Sequence, residues 1–175
     1  MNPLIQLKTT PPLLITLALL CFGLLPKAEA VNPPPVGGYP NFTTAAGDNA
    51  LKSLTSGAAN TAIGNFSMFS VTTGNANTAV GAGSLDLNTA NNNTAIGTAA
   101  LLLNTTGADN TAVGVAALEL NSTGINNTAN GAFALFNITG NGNIALGANA
   151  GVNLTTGDNN IDIGNTGVAG ESSMR

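Results

Sequence analysis

Several residue types on which protein chemistry commonly depends are missing or scarce in this chain of 175 residues. It contains no histidine, no tryptophan and one cysteine, and only 7% of its residues are charged, whereas a soluble domain carries about 25%. Four lysines and arginines in total cannot neutralise the roughly six to ten phosphates that a DNA-binding surface contacts. We therefore expect no nucleic-acid partner. Because the usual general base and transition-metal ligands are absent, we also expect no enzymatic activity, no cofactor and no metal.

The first 30 residues have the pattern of an export signal. Lys8 precedes an apolar run at 13–25, and an Ala-Glu-Ala sequence at 28–30 offers small residues for cleavage. The run is shorter than the ~20 residues that a membrane-spanning helix needs. We predict a signal peptide over 1–30, a secreted or cell-surface protein, and no membrane span after cleavage. The single cysteine, Cys21, leaves with that segment, so no disulfide can form in the rest.

Proline is confined to the first 40 residues of the chain. Residues 31–42 read as an extended Pro-rich linker. The absence of proline after Pro40 favours a fully paired sheet, because proline cannot donate a hydrogen bond to a neighbouring strand.

After the linker, one short unit is repeated to near the end of the chain. Asn60-Thr61-Ala62-Ile63-Gly64 returns with small variations, and its copies start at positions 43, 60, 77, 93, 110, 127, 143 and 160, always 16 or 17 residues apart. A unit of this length is too short for helical repeats, whose units run from about 33 residues upward, and it suits one turn of a β-solenoid. Unit positions are counted from this first Asn.

The fold class that this pattern predicts is all-β, a parallel β-roll or β-solenoid of about eight coils over residues 43–170. Residues 171–175 form a short tail. The β-branched residue of each motif marks one short strand. An apolar pair after the glycine, such as Ala100-Leu101, predicts a second strand, and a Thr-Gly turn closes the coil. At about 4.8 Å per step the stack is roughly 35 Å long.

Stacking gives the repeated asparagines and glycines structural roles. Each residue lies over its own copy, so a charge inside the unit would be repeated as a column of like charges. An asparagine amide, in contrast, can bond to its copies above and below. The predicted ladder is Asn60, Asn77, Asn93, Asn110, Asn127 and Asn143. The predicted corner glycines, where φ is positive or a side chain would clash, are Gly64, Gly81, Gly97, Gly114, Gly131 and Gly147.

Neighbouring residues of a strand point to opposite faces, so the large Ile or Val and the small Ala of each motif lie on different sides. We expect Ile and Val to fill the coil interior and the alanines to face outward. A uniform outward stripe of small apolar residues predicts close packing against another copy of the chain. The residues of this proposed interface are Ala62, Ala79, Ala95, Ala112, Ala129 and Ala145.

Two irregularities interrupt the repeat. Asn130 takes a position where an interior aliphatic residue is expected. The third apolar residue of each unit also moves between position 11, as in Leu87, and position 12, as in Val71. A shift of one residue turns a strand's side chains to the other face, so the pattern leaves open whether there are two coil subtypes.

Tandem N-T-A-[IV]-G-x-x-A-L…N-T-T-G units resemble the head of trimeric autotransporter adhesins, the YadA-like left-handed parallel β-roll, and are similar to repeats of bacterial cell-surface and phage tail-fibre proteins. The likeness covers about residues 43–170. It implies a homotrimer with the alanine stripe near its axis, displayed outside the cell and attached to host matrix or another surface. No stalk, anchor barrel or sorting signal follows before Arg175, so we expect a truncated chain or a secreted or partner-held head.

Two other functions remain as alternatives to adhesion. The column Thr61, Thr78, Thr94, Thr111 and Thr128 suggests an ice-binding solenoid, although a flat ice-binding face would carry two threonine columns on each strand. A phage-type tail-fibre segment is the second alternative. A solenoid enzyme of the polysaccharide-lyase type needs clustered acids and a basic residue, and Lys52 is the only cation of the array.

Overall fold

The computed structural model of the chain describes residues 31–32 and 40–169. The predicted signal peptide, most of the predicted linker and the tail lie outside the described residues. No helix in the described part is both long and apolar enough to cross a membrane.

One short strand forms in each repeat unit, where the threonine and the β-branched residue of the motif favour extended backbone. A 3₁₀ turn at Pro40–Phe42 precedes the second strand. The strands are β1 (Val31–Asn32), β2 (Thr44–Asp48), β3 (Thr61–Ile63), β4 (Thr78–Val80), β5 (Thr94–Ile96), β6 (Thr111–Val113), β7 (Thr128–Asn130), β8 (Ile144–Leu146) and β9 (Ile161–Ile163).

All nine strands belong to one parallel sheet in the order β1 to β9. From β2 onward each residue pairs with its own copy, so that Thr44 lies opposite Thr61 and Thr61 opposite Thr78. The unit starts deduced from the motif are therefore the structural register. The predicted all-β parallel solenoid is confirmed.

The second apolar segment of each coil is a turn rather than the predicted second strand. Its backbone still bonds from coil to coil, as where the Leu101 N–H donates to the Ala117 carbonyl at 3.0 Å. However, the leucine itself has a left-handed backbone, with φ of 51° at Leu101. Extended backbone on both sides would flatten the coil, and the left-handed residues bend it. In the seventh unit the same position is held by Gly151, which takes this conformation without strain.

The coil interior is lined by the alanines and not by the β-branched residues. Ala95 has no exposed surface, whereas Ile96 beside it is 42% exposed. The coils from Leu51 to Leu135 already contribute a buried Leu or Met at position 9 to the same core, and the strand side of this thin interior has room for little more than a methyl group. The prediction that the alanines face outward is wrong for the whole set: Ala62, Ala79, Ala95, Ala112, Ala129 and Ala145.

Both irregularities of the sequence disappear in this arrangement. Asn130 lies on the outward side of β7 and is exposed, so no interior aliphatic residue is missing. Position 12 points inward whether it holds Val71 or Asn88, and Leu87 at position 11 is exposed. There is therefore one coil type. The apparent shift of the third apolar residue between positions 11 and 12 is a change of residue type at position 12, which points inward throughout.

The motif glycines form a corner at which the backbones of successive coils approach too closely for any side chain. Gly114 has φ of 135°, and a Cβ placed on it would lie 2.6 Å from the carbonyl carbon and oxygen of Gly131. The corner glycines from Gly47 to Gly147 share this positive φ, and all but Gly147 share this close backbone contact. Both reasons given from the sequence thus hold at Gly114.

We predict that Gly114→Ala lowers the free energy of unfolding by about 2 kcal/mol or more, because the new methyl adds backbone strain to a clash with Gly131. Thermal and urea denaturation followed by circular dichroism measure the loss. Gly164→Ala is the matched control, since Gly164 also has positive φ, at 64°, but nothing within 4 Å of its Cβ. It should cost about 1 kcal/mol. Equal losses in both variants would show that the corner contact is unimportant.

Candidate functional site

The asparagines at position 1 form a continuous buried ladder. Asn60 Oδ1 accepts a hydrogen bond from the backbone N–H of Asn77 at 3.0 Å, and its Nδ2 donates to the Gly74 carbonyl at 2.7 Å. Each of the six predicted asparagines repeats the first contact with the next coil, ending where Asn160 N–H bonds to Asn143. The amides thus satisfy backbone groups that the strand cannot, in place of the amide-to-amide stack expected from the sequence.

Direct bonds between these amides occur only towards the C-terminal end of the ladder. Asn143 Nδ2 donates to Asn127 Oδ1 at 3.0 Å, and Asn160 Nδ2 donates to Asn143 Oδ1 at 2.8 Å. In the earlier coils Nδ2 donates to a carbonyl of the closing turn, as Asn93 does to Gly107 at 2.9 Å. Asn93 Nδ2 also donates to Asn88 Oδ1 at 3.2 Å. Since side-chain and backbone partners are both buried, these bonds are costly to lose.

A second buried ladder runs through position 12 of the central coils. Asn104 Nδ2 donates to Asn88 Oδ1 at 2.8 Å, and Asn121 Nδ2 donates to Asn104 Oδ1 at 3.1 Å. Sequence reasoning missed it because Asn104 opens the segment N-T-T-G, which has the composition of an exposed turn. The signal that could have revealed it was the alignment of these asparagines with Leu54 and Val71 at position 12.

This second ladder ends with an unpaired group. Asn121 Oδ1 is buried and has no hydrogen-bond partner. The next residue of the column is Ile138, which is fully buried and carries no donor. The ladder therefore stops one bond short.

We predict that Ile138→Asn is tolerated, because its amide can donate to Asn121 Oδ1 and continue the ladder. Leu154→Asn is the control in the same column. That asparagine would lie against Ile138 and would have no such acceptor, and an unsatisfied buried polar group costs about 1–3 kcal/mol. Urea denaturation should give Ile138→Asn a free energy of unfolding at least ~1 kcal/mol higher than that of Leu154→Asn. The reverse order would contradict the proposed continuation.

The outward side of the strands is the most regular surface of the described residues. We call it the outer sheet face and define it by positions 2 and 4. Position 2 holds Thr44, Thr61, Thr78, Thr94, Thr111, Thr128, Ile144 and Ile161, and position 4 holds Ala46, Ile63, Val80, Ile96, Val113, Asn130, Leu146 and Ile163. The face contains no charged residue. It takes the place of the alanine stripe as the candidate interface.

A second surface feature lies on the turn segment after the corner. The rings of Phe66 and Phe69 meet edge to face with centroids 5.1 Å apart, and Lys52 Nζ lies 5.6 Å from the centroid of Phe69. Four coils further on, Phe133 and Phe136 form a second pair with centroids 5.9 Å apart. The repeat pattern indicates that position 10, which includes Lys52, Asp86 and Glu119, is outward. Sequence reasoning did not notice the two aromatic pairs, although counting along the repeat places them at equivalent positions.

Within residues 31–32 and 40–169 no group of three or more His, Cys, Asp or Glu side chains is placed to hold a metal ion. The acidic side chains there are distributed singly over the coils. What the arrangement offers is repetition: extended columns of one side chain type, held at a fixed spacing by the backbone.

Comparisons with known proteins found no matching family model, no matching curated protein and no matching solved structure. The coil geometry itself therefore carries the functional argument.

Proposed function

We propose that this chain is a secreted or cell-surface structural and adhesive protein, whose solenoid assembles into a homotrimer through the outer sheet face and binds other surfaces through its repeated exterior. No catalysis is part of this function. The observation that carries the proposal is the exposure of an uncharged apolar column along the strands. Ile63, Ile96 and Leu146 are each more than 40% exposed.

The fold does not require these apolar residues. Position 4 points away from the core, and a polar residue is accommodated there at Asn130. Position 10, which also points outward, varies freely and holds Lys52, Asp86 and Leu102 among others. Position 4 is thus apolar in every unit but the one with Asn130, whereas position 10 mixes charged and apolar residues. Burial against a partner is the simplest physical reason for that difference.

A second copy of the chain fits this face better than an unrelated partner. A face that repeats at one spacing along the solenoid axis meets its own copy with the same spacing, so the columns can interdigitate over their whole length. Symmetric self-association is also the commonest form of oligomer. The trimeric state is taken from the resemblance to trimeric adhesin heads, and the export signal read in residues 1–30 supports display outside the cell.

Ice binding is the second candidate for the same surface. The structure favours it in one respect: the threonine column Thr61, Thr78 and Thr94 lies outward and in register, where ordered water could meet it. The neighbouring column is apolar, however, and a face buried in a trimer cannot contact ice. A phage-type tail-fibre segment would form the same trimer. It would differ only in being carried by a phage particle instead of a cell surface.

We predict that Val113→Glu dissociates the homotrimer, because three carboxylates would be brought together on an uncharged interface. Size-exclusion chromatography with light scattering should show trimers for the unchanged chain and monomers for the variant. Val115→Glu is the matched control. It lies two residues further on, off the outer sheet face and 50% exposed, and it should remain trimeric.

A monodisperse monomer for the unchanged chain would overturn the trimer and most of the adhesin interpretation. In that case a freezing-point gap in a thermal hysteresis measurement would support ice binding. Ala112→Glu, the substitution suggested by an outward alanine, is unsuitable because Ala112 is fully buried and the variant would lose its core.

A further inference from the structure

The two phenylalanine pairs occupy equivalent positions in different coils. Phe66 and Phe133 are both at position 7, and Phe69 and Phe136 are both at position 10. Phe66 and Phe133 are 42% and 44% exposed. Four steps of about 4.8 Å separate the pairs, so they lie roughly 19 Å apart along the solenoid axis.

An unbroken backbone ladder fixes that separation. The N–H of Ser70 donates to the carbonyl of Asp86 at 3.0 Å, and the N–H of Leu87 donates to Leu102 at 3.2 Å. The same contact continues to Glu119 and then to Phe136, at 2.9 Å in both steps. Position 10 is therefore a continuous column of Phe69, Asp86, Leu102, Glu119 and Phe136. Together with Phe66 and Phe133, whose rings contact the two ends of the column, we call it the aromatic strip.

The order of side chains along the strip is symmetric, with aromatic ends, an acid next to each end and a leucine in the middle. Beside it, the side chain at position 7 is large at Phe66, small at Gly83, Ala99 and Ala116, and large again at Phe133. The two phenyl pairs thus stand at the ends of a stretch of small residues. One carboxylate is held in place, because Ser70 Oγ donates to Asp86 Oδ1 at 3.1 Å.

We propose that the aromatic strip binds an uncharged, extended, β-linked polysaccharide. This inference rests on the proposed adhesive function and names the ligand class for it. Phenyl faces stack on the apolar C–H faces of sugar rings, and the carboxylates of Asp86 and Glu119 accept hydrogen bonds from sugar hydroxyls. Such a glycan advances by slightly more than one coil spacing per sugar, so successive sugars meet successive coils along the strip.

The charges of the strip select among polysaccharides. Asp86 and Glu119 repel an anionic glycan, and the only nearby cation in the described part of the chain, Lys52, lies over the ring of Phe69 at one end. A short or compact ligand could not reach both phenyl pairs. An extended neutral polysaccharide spans the distance between the two phenyl pairs, stacks on both of them and donates hydrogen bonds to the carboxylates between them.

The test is a pull-down binding isotherm of the purified chain on cellulose and on chitin, with polylysine as a cationic probe. We expect retention on at least one neutral glycan, unchanged at about 1 M NaCl, where the Debye length is ~3 Å. The double variant Phe66→Ala, Phe133→Ala should lose at least tenfold in affinity. Asp86→Asn should lose less, because an amide oxygen still accepts a hydrogen bond.

Phe42→Ala is the matched control, since Phe42 is 97% exposed but lies away from the strip. It should bind like the unchanged chain, and circular dichroism should show the same unfolding transition for all variants. No retention on any of the glycans, equal loss in Phe42→Ala, or binding to polylysine alone would each overturn the proposal. Light scattering of the same samples tests the glycan proposal separately from the trimer proposal. A monomer that is retained on glycan would contradict the trimer and support glycan binding by the aromatic strip.

Discussion

Each residue of this solenoid lies about one strand spacing from its own copy, and that constraint governs the remainder of the structure. It acts through backbone hydrogen bonds between coils, such as the 2.8 Å bond from Thr94 N–H to Asn110. Because the spacing is fixed, any side chain chosen for one position must tolerate itself as a neighbour. Charge is tolerated poorly under this condition, and the 7% of charged residues is a consequence of it.

Asparagine meets the same condition through different chemistry. Its amide joins a backbone donor of the next coil to a backbone acceptor of the closing turn, as Asn110 does with Asn127 and Gly124. The two coils are thereby connected at the residue just before each strand begins. In the 16-residue units the closing turn is one residue shorter, yet Asn77 still finds the Ala90 carbonyl at 2.9 Å. The amide contact thus absorbs the variation in unit length.

The sequence was sufficient for the coil but not for its orientation. Motif spacing predicted the register, and the outcome at Thr61 and Thr78 matches it because a repeated unit can stack only on itself. Periodicity alone cannot say which side of a strand is inside, and hydrophobicity favoured Ile63 over Ala62. The parity of the motif held the answer: Asn60 and Ala62 share a face, and an asparagine bonded from coil to coil belongs inside, so the alanine does too. Residues outside the motif were harder to place, because left-handed leucines such as Leu101 adopt a conformation that is costly for a large side chain and that only the stacking of coil on coil stabilises.

The last described strand shows how such a stack can end. In β9 the inward position that alanine holds elsewhere is taken by Asp162, which is almost fully buried. Segment 165–167 then crosses the end of the core: Gly151 N–H donates to Asn165, and Gly167 lies against Leu154. The stack changes at this coil in two ways, because a carboxyl replaces the interior methyl and the segment after β9 lies over the core that each earlier coil leaves open to the next one.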